Sequence, residues 1–223
     1  METRELKFTA TPEKGDVSAL LMRPDDATHL LVLGHGAGAD MRSMAMQNIA
    51  EHLAECDVAT FRYNFPFKEN GRGGVDSPKT ATATVRAAVA EAKKLASGLT
   101  LLAGGHSFGG RMTTTAQSES PLDGVTGLVL FSFPLHAPNR PDDSRAAHLS
   151  AVKIPMLFLT GTRDALNDLD LFRPVIKKLG TRATLHTLDT ADHGYKTLKK
   201  TRNSDEDVFA EMARVAAAWA SSL

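Results

Sequence analysis

The sequence predicts an α/β fold: a largely parallel sheet with helices on both faces. Three observations carry this. Short apolar runs alternate along the chain with helix-compatible segments, and several of those runs are continuous, as in strands buried on both faces. Each conspicuous glycine- or charge-bearing motif follows one of these runs directly, at the carboxyl edge where open α/β sheets place their sites. At 223 residues the chain can build one sizeable core, so residues 1–223 are expected to form a single domain.

The elements follow in order. Residues 5–10 and 16–23 alternate in polarity around Thr11-Pro12-Glu13-Lys14-Gly15, which predicts a leading antiparallel hairpin. Leu30–Leu33 is a continuous apolar strand ending in Gly34-His35-Gly36-Ala37-Gly38-Ala39-Asp40. A helix is expected over 43–55, with Met44, Ile49 and Leu53 facing inward. The strand Val58–Tyr63 is closed by Asn64-Phe65-Pro66, and residues 68–79 are expected to be an irregular polar loop. A helix over 80–96 and a strand over 99–103 lead to Gly104-Gly105-His106-Ser107-Phe108-Gly109-Gly110-Arg111. Beyond it come a helix over 111–118, a strand over 127–132, a proline-containing loop over 133–149 and a strand over 154–160. A helix over 169–179, a strand over 183–188, a loop over 189–196 and a helix over 205–220 complete the pattern.

Gly105-His106-Ser107-Phe108-Gly109 has the form G-x-S-x-G between a strand and a helix, the pattern of a nucleophile elbow. A serine on so sharp a turn leaves its neighbours room for hydrogen only, hence the glycines. A serine hydroxyl needs a base, and the base needs a carboxylate to fix its tautomer and stabilise its charged form. Asp164 follows the 154–160 strand by four residues and His193 follows the 183–188 strand by five, giving the order Ser, Asp, His. The rivals are Asp168 or Asp170 for the acid and His186 or His136 for the base; His186 falls inside a strand. The oxyanion donors expected are the backbone N–H groups of Phe108 and Ala37, with Gly36 and Gly38 letting the backbone approach a substrate. His35 is expected to brace that loop and His106 to bond locally, while Arg111, Asn64, Phe65 and His136 are possible pocket residues, with Arg62 as a further candidate.

These motifs, with Phe-Arg-Tyr-Asn-Phe-Pro, Gly-Thr-Arg-Asp and Asp-His-Gly-Tyr, resemble the α/β-hydrolase superfamily over nearly the whole length. Within it the chain is similar to a compact bacterial subfamily related to dienelactone-hydrolase-like proteins and to hydrolase-like accessory subunits of eukaryotic chromatin complexes. The resemblance implies an α/β-hydrolase fold with little or no lid, and a serine hydrolase of esterase or thioesterase type needing no cofactor. Dienelactone hydrolases proper use a cysteine nucleophile; position 107 is serine, so their particular reaction does not carry over.

Other classes fare worse. Gly34-His35-Gly36-Ala37-Gly38-Ala39 also fits the dinucleotide pattern of an oxidoreductase, but the region some twenty residues on lacks the ribose-binding acid. Arg111-Met112 stands where a phosphate loop needs lysine and a hydroxyl. Lysine plus arginine equals aspartate plus glutamate, 26 each, so no net field favours nucleic acid or anionic membrane. The single cysteine forms neither an internal disulfide nor a metal cluster. No apolar run approaches a membrane span and the first residues are charged, so the expected location is the cytoplasm and the expected partner a small acyl substrate, with no metal. A non-catalytic binding protein on a hydrolase scaffold is the remaining alternative.

Overall fold

The structure is a computed structural model that describes residues 1–71 and 73–223. Eight strands form one sheet: β1 (Glu2–Thr11), β2 (Gly15–Arg23), β3 (His29–Gly34), β4 (Val58–Tyr63), β5 (Thr100–His106), β6 (Val125–Phe131), β7 (Met156–Gly161) and β8 (Ala183–Leu188). Their spatial order is β1-β2-β4-β3-β5-β6-β7-β8, with β1 and β2 antiparallel to their neighbours and the remaining six mutually parallel. β5 therefore lies inside the sheet, and the serine that ends it is flanked by strands on both sides.

Continuous apolar strands are buried on two faces, and successive side chains divide between them. In β3, Leu30 and Val32 join one core with Phe61, Val85, Val89, Leu130 and Phe158, while Leu31 and Leu33 join the other with Ile49, Leu53, Leu102, Val129 and Leu157. The first core is covered by α3 (Pro78–Leu95), α4 (Phe108–Glu119) and α5 (Leu169–Leu179); the second by α1 (Met44–Glu55) and α6 (Val208–Ala220).

Four expectations are corrected. Met44, expected to face inward, is 80% exposed; the buried stripe of α1 is Met46, Ile49, Ala50 and Leu53, an i, i+3, i+4, i+7 set that leaves position 44 outside. The polar loop expected over 68–79 begins inside a single helical turn, α2 (Pro66–Glu69), and ends where Ser77 caps α3, its hydroxyl accepting the Thr80 N–H at 3.2 Å. Of this loop, Arg72 lies outside the described residues. The loop over 133–149 ends in a 3-10 helix, Ser144–Ala151, packed on α4. The last helix starts later than expected because Asp207 is the residue that caps it, accepting from Phe209 N at 2.8 Å. The segments above the carboxyl edge are thus short and carry no lid of their own among the described residues, and no described helix is long and apolar enough to cross a membrane.

Helix α4 sits unusually close to the sheet. A β-carbon on Gly109 would lie 2.3 Å from the Gly34 carbonyl oxygen, and one on Gly105 would lie 2.5 Å from the same atom. A β-carbon on Gly38 would meet nothing within 4 Å. Gly109→Ala should therefore cost about 3 kcal/mol or more, because backbone must move, whereas Gly38→Ala should change stability by about 0.5 kcal/mol or less. Urea unfolding of both variants against the wild type measures the contrast, and equal midpoints would refute it.

Candidate active site

Ser107 occupies the turn between β5 and α4 with φ 51° and ψ −113°, a conformation that costs a non-glycine residue on the order of 1–3 kcal/mol. Two backbone bonds hold it: Ser107 N–H donates to the Phe131 carbonyl at 2.8 Å and Arg111 N–H donates to the Ser107 carbonyl at 3.0 Å. The hydroxyl consequently stands clear of the sheet edge, where the next two loops meet it.

His193 Nε2 lies 2.9 Å from Ser107 Oγ, and His193 Nδ1 lies 2.9 Å from both carboxylate oxygens of Asp164. The acceptor-only carboxylate assigns the proton to Nδ1, so Nε2 presents its lone pair to the serine hydroxyl. The Asp164 side chain is fully buried and also accepts the Leu166 N–H at 2.8 Å, which fixes its plane. Three of the rivals named from the sequence are engaged elsewhere, and the fourth, Asp170, is exposed on the first turn of α5. His186 pairs with Glu211 at 2.8 Å, His136 accepts from Asp168 N at 3.3 Å and donates to the Ala137 carbonyl at 3.0 Å, and Asp168 caps α5 through Asp170 N.

The loop after β3 runs past the serine: a β-carbon on Gly36 would sit 3.6 Å from Ser107 Cβ and 2.9 Å from His106 Nδ1. Glycine is required there by close approach. The N–H groups of Ala37 and Phe108 have no hydrogen-bond partner among the described residues and flank Ser107 on its two neighbouring segments. His35 fixes the loop, donating from Nδ1 to the Gly36 carbonyl at 2.8 Å and accepting the Phe65 N–H on Nε2 at 3.1 Å.

Several sequence candidates turn out to be braces. Asn64 accepts the Met41 N–H at 3.0 Å and donates to Glu69 at 2.9 Å; Phe65 is fully buried against Phe108, ring centroids 5.2 Å apart. Arg62 is buried and donates to the Met41 carbonyl and to Gln47 Oε1, and desolvation brings its pKa down to about 10. His106 joins the elbow to the histidine loop: its Nε2 donates to the His193 carbonyl at 3.1 Å, with ring centroids 5.3 Å apart. Two residues at the site have no clear sequence signal, Ser132 (φ 47°) after β6 and Tyr195 (φ 68°) after His193. Tyr195 was visible only as the end of Asp-His-Gly-Tyr, and its ring packs on His106 at 5.8 Å and Phe209 at 5.7 Å.

The parallel sheet, the serine elbow and the strand-end histidine and carboxylate define an α/β-hydrolase scaffold. Sequence comparison agrees: the alpha/beta hydrolase domain family matches residues 27–221, and the chain belongs to that family. Solved structures share the fold at low identity. A dienelactone hydrolase from Anabaena variabilis is 18% identical, with 100% of this chain and 99% of that one aligned at a TM-score of 0.74. A serine hydrolase without lid from Xanthomonas campestris is 20% identical over 97% and 95% of the two chains, TM-score 0.71. A serine hydrolase homologue from Coxiella burnetii is 16% identical over 98% and 97%, TM-score 0.76.

Burial holds His35 and His106 in their neutral forms, each with its pKa lowered to about 4; for His106 the neighbouring His193 adds to the effect. In the unfolded chain a histidine takes its proton near ~6.5, so the unfolded state binds more protons between that pH and 4. The His35 contribution is fully present above about pH 6.5 and is lost as pH falls toward 4, a change on the order of 3 kcal/mol. Urea unfolding between pH 7.5 and 4.5 should show a shallower acid loss for His35→Asn than for the wild type, alongside a lower stability at neutral pH. Parallel pH curves would show that His35 is not held neutral by the fold.

Proposed function

We propose that this protein is a serine hydrolase that cleaves an ester or thioester bond of a small molecule through an acyl-enzyme. The observation that carries the reading is the single imidazole of His193 bridging Ser107 Oγ and the Asp164 carboxylate at 2.9 Å on each side. His193 Nε2 takes the hydroxyl proton as Ser107 Oγ attacks the acyl carbon, and the carbonyl oxygen becomes an oxyanion facing the Ala37 and Phe108 N–H groups. Asp164 stabilises the imidazolium without taking its proton. The imidazolium returns that proton to the leaving group as the carbon–heteroatom bond breaks. A water deprotonated by the same imidazole then attacks the acyl-serine, releasing the acid and regenerating Ser107. Protein groups suffice for every step, and among the described residues no cluster of three or more histidine, cysteine or acidic side chains is placed to hold a metal.

The test uses the purified protein. A fluorophosphonate probe should label the wild type at Ser107, and Ser107→Ala should lose both the label and about 10⁴-fold or more of the turnover of an activated ester, with the fold intact by circular dichroism. The acylation rate should fall on acidification, because an imidazolium cannot accept the serine proton. Wild-type activity in Ser107→Ala would refute the assignment. An unlabelled, inactive but folded wild type would leave the binding-protein alternative in its place.

A further inference from the structure

Two neighbouring arginines that form no ion pair among the described residues lie at the start of α4 and on the 3-10 helix packed against it. Arg111 lies one turn into α4, its N–H on the Ser107 carbonyl, and its side chain is half-buried. Its guanidinium makes no ion pair and no hydrogen bond among the described residues. Its electrostatic neighbours are Arg145, from the 3-10 helix packed on α4, and His148 of the same helix. That helix is pinned to α4 by the Thr114 Oγ1 to His148 Nε2 contact at 2.8 Å. Arg145 is also half-buried and spends one N–H on the His136 carbonyl at 2.8 Å. The nearby carboxylate, Asp142, is exposed and engaged by Ser144 through its N–H and hydroxyl.

Three terms oppose this arrangement: partial desolvation of Arg111, repulsion from Arg145, and the position of a cation toward the amino end of a helix. An anion between the guanidinium groups would remove the repulsion, would itself be favoured at the amino end of the helix, and would offset the desolvation by its attraction. Arg111 follows Ser107 by one turn of α4, its main-chain N–H on the Ser107 carbonyl, and Arg145 is tied to the segment after β6 through the His136 carbonyl.

We infer that Arg111 and Arg145 form an anion-recognition subsite, and that the acyl substrate carries a carboxylate or phosphate group. This rests on the serine-hydrolase reading for its chemistry, but the subsite can be measured without turnover.

Hydrolysis of mono-p-nitrophenyl adipate, whose chain ends in a carboxylate, is compared with that of the neutral p-nitrophenyl hexanoate, uncatalysed rates subtracted. The anionic ester should be preferred in kcat/KM by about ten-fold or more, the scale of one charge-assisted hydrogen bond. In Arg111→Gln and Arg145→Gln that ratio should fall toward unity, with partial recovery in Arg111→Lys. In parallel, adipate or inorganic phosphate should raise the thermal midpoint of the wild type and of Ser107→Ala but not of the two glutamine variants. Protection by phosphate alone would assign a phosphate-bearing substrate; protection by adipate would assign a carboxylate. Absence of protection by either anion, or an ester preference that survives both glutamine substitutions, would overturn the proposal. Anion protection that depends on both arginines, with no labelling of Ser107 and no ester cleavage, would refute the hydrolase reading and leave the subsite standing.

Discussion

The contact on which the site depends is steric: the first turn of α4 lies against the backbone of β3, with room for glycine and nothing larger at position 109. That approach sets the turn at Ser107 and forces its positive φ, and the two backbone bonds to Phe131 and from Arg111 hold the strained residue there. The same contact positions a second part of the site. Gly34, whose carbonyl faces Gly109, leads directly into His35-Gly36-Ala37, so the packing that sets the Ser107 turn also brings the Gly36 turn beside it. One close approach of helix to sheet thus fixes both Ser107 and the Gly36–Ala37 backbone next to it.

Three histidines share this edge in two tautomers, assigned by their partners. His193 and His35 carry the proton on Nδ1, toward a carboxylate and a carbonyl; His106 carries it on Nε2, toward the His193 carbonyl. The ring of His106, held neutral, lies 5.3 Å from that of His193, and the Asp164 carboxylate lies 2.9 Å from His193 Nδ1 on the other side.

The sheet and its helices were legible in the sequence because strands buried on both faces leave continuous apolar runs, as in β4, and the helix α5 and the half-buried edge strand β8 also keep their expected bounds. Ser107, Asp164 and His193 were legible because each follows such a strand in an order that a chain of unrelated turns would rarely supply. The misses have physical causes. Met44 was misplaced because methionine at a helix start is apolar whichever way it faces. The turn at 66–69 was hidden because a proline after Phe65 reads as a stop, although proline is also at home in the first turn of a helix. Arg62 and Asn64 looked like pocket groups, and only their partners, Met41, Gln47 and Glu69, reveal them as braces. The Arg111–Arg145 proximity depends on how the 3-10 helix packs on α4, thirty residues beyond any local pattern.

A site without a lid of its own has few ways to hold a substrate. It cannot enclose the ligand and remove its water, so apolar burial contributes little beyond the contact at the mouth. Charge acts differently, because a guanidinium attracts an anion before contact and retains much of that attraction where the protein surface is only half-solvated. Arg111, one helical turn from Ser107, and Arg145 beside it would supply affinity where depth does not, and would act on the end of a substrate remote from the reacting carbonyl. Recognition at that distance would position an ester without competing with the oxyanion donors for its oxygen. On this proposal orientation would come from charge on α4 and its neighbouring 3-10 helix, and chemistry from the turn that begins α4.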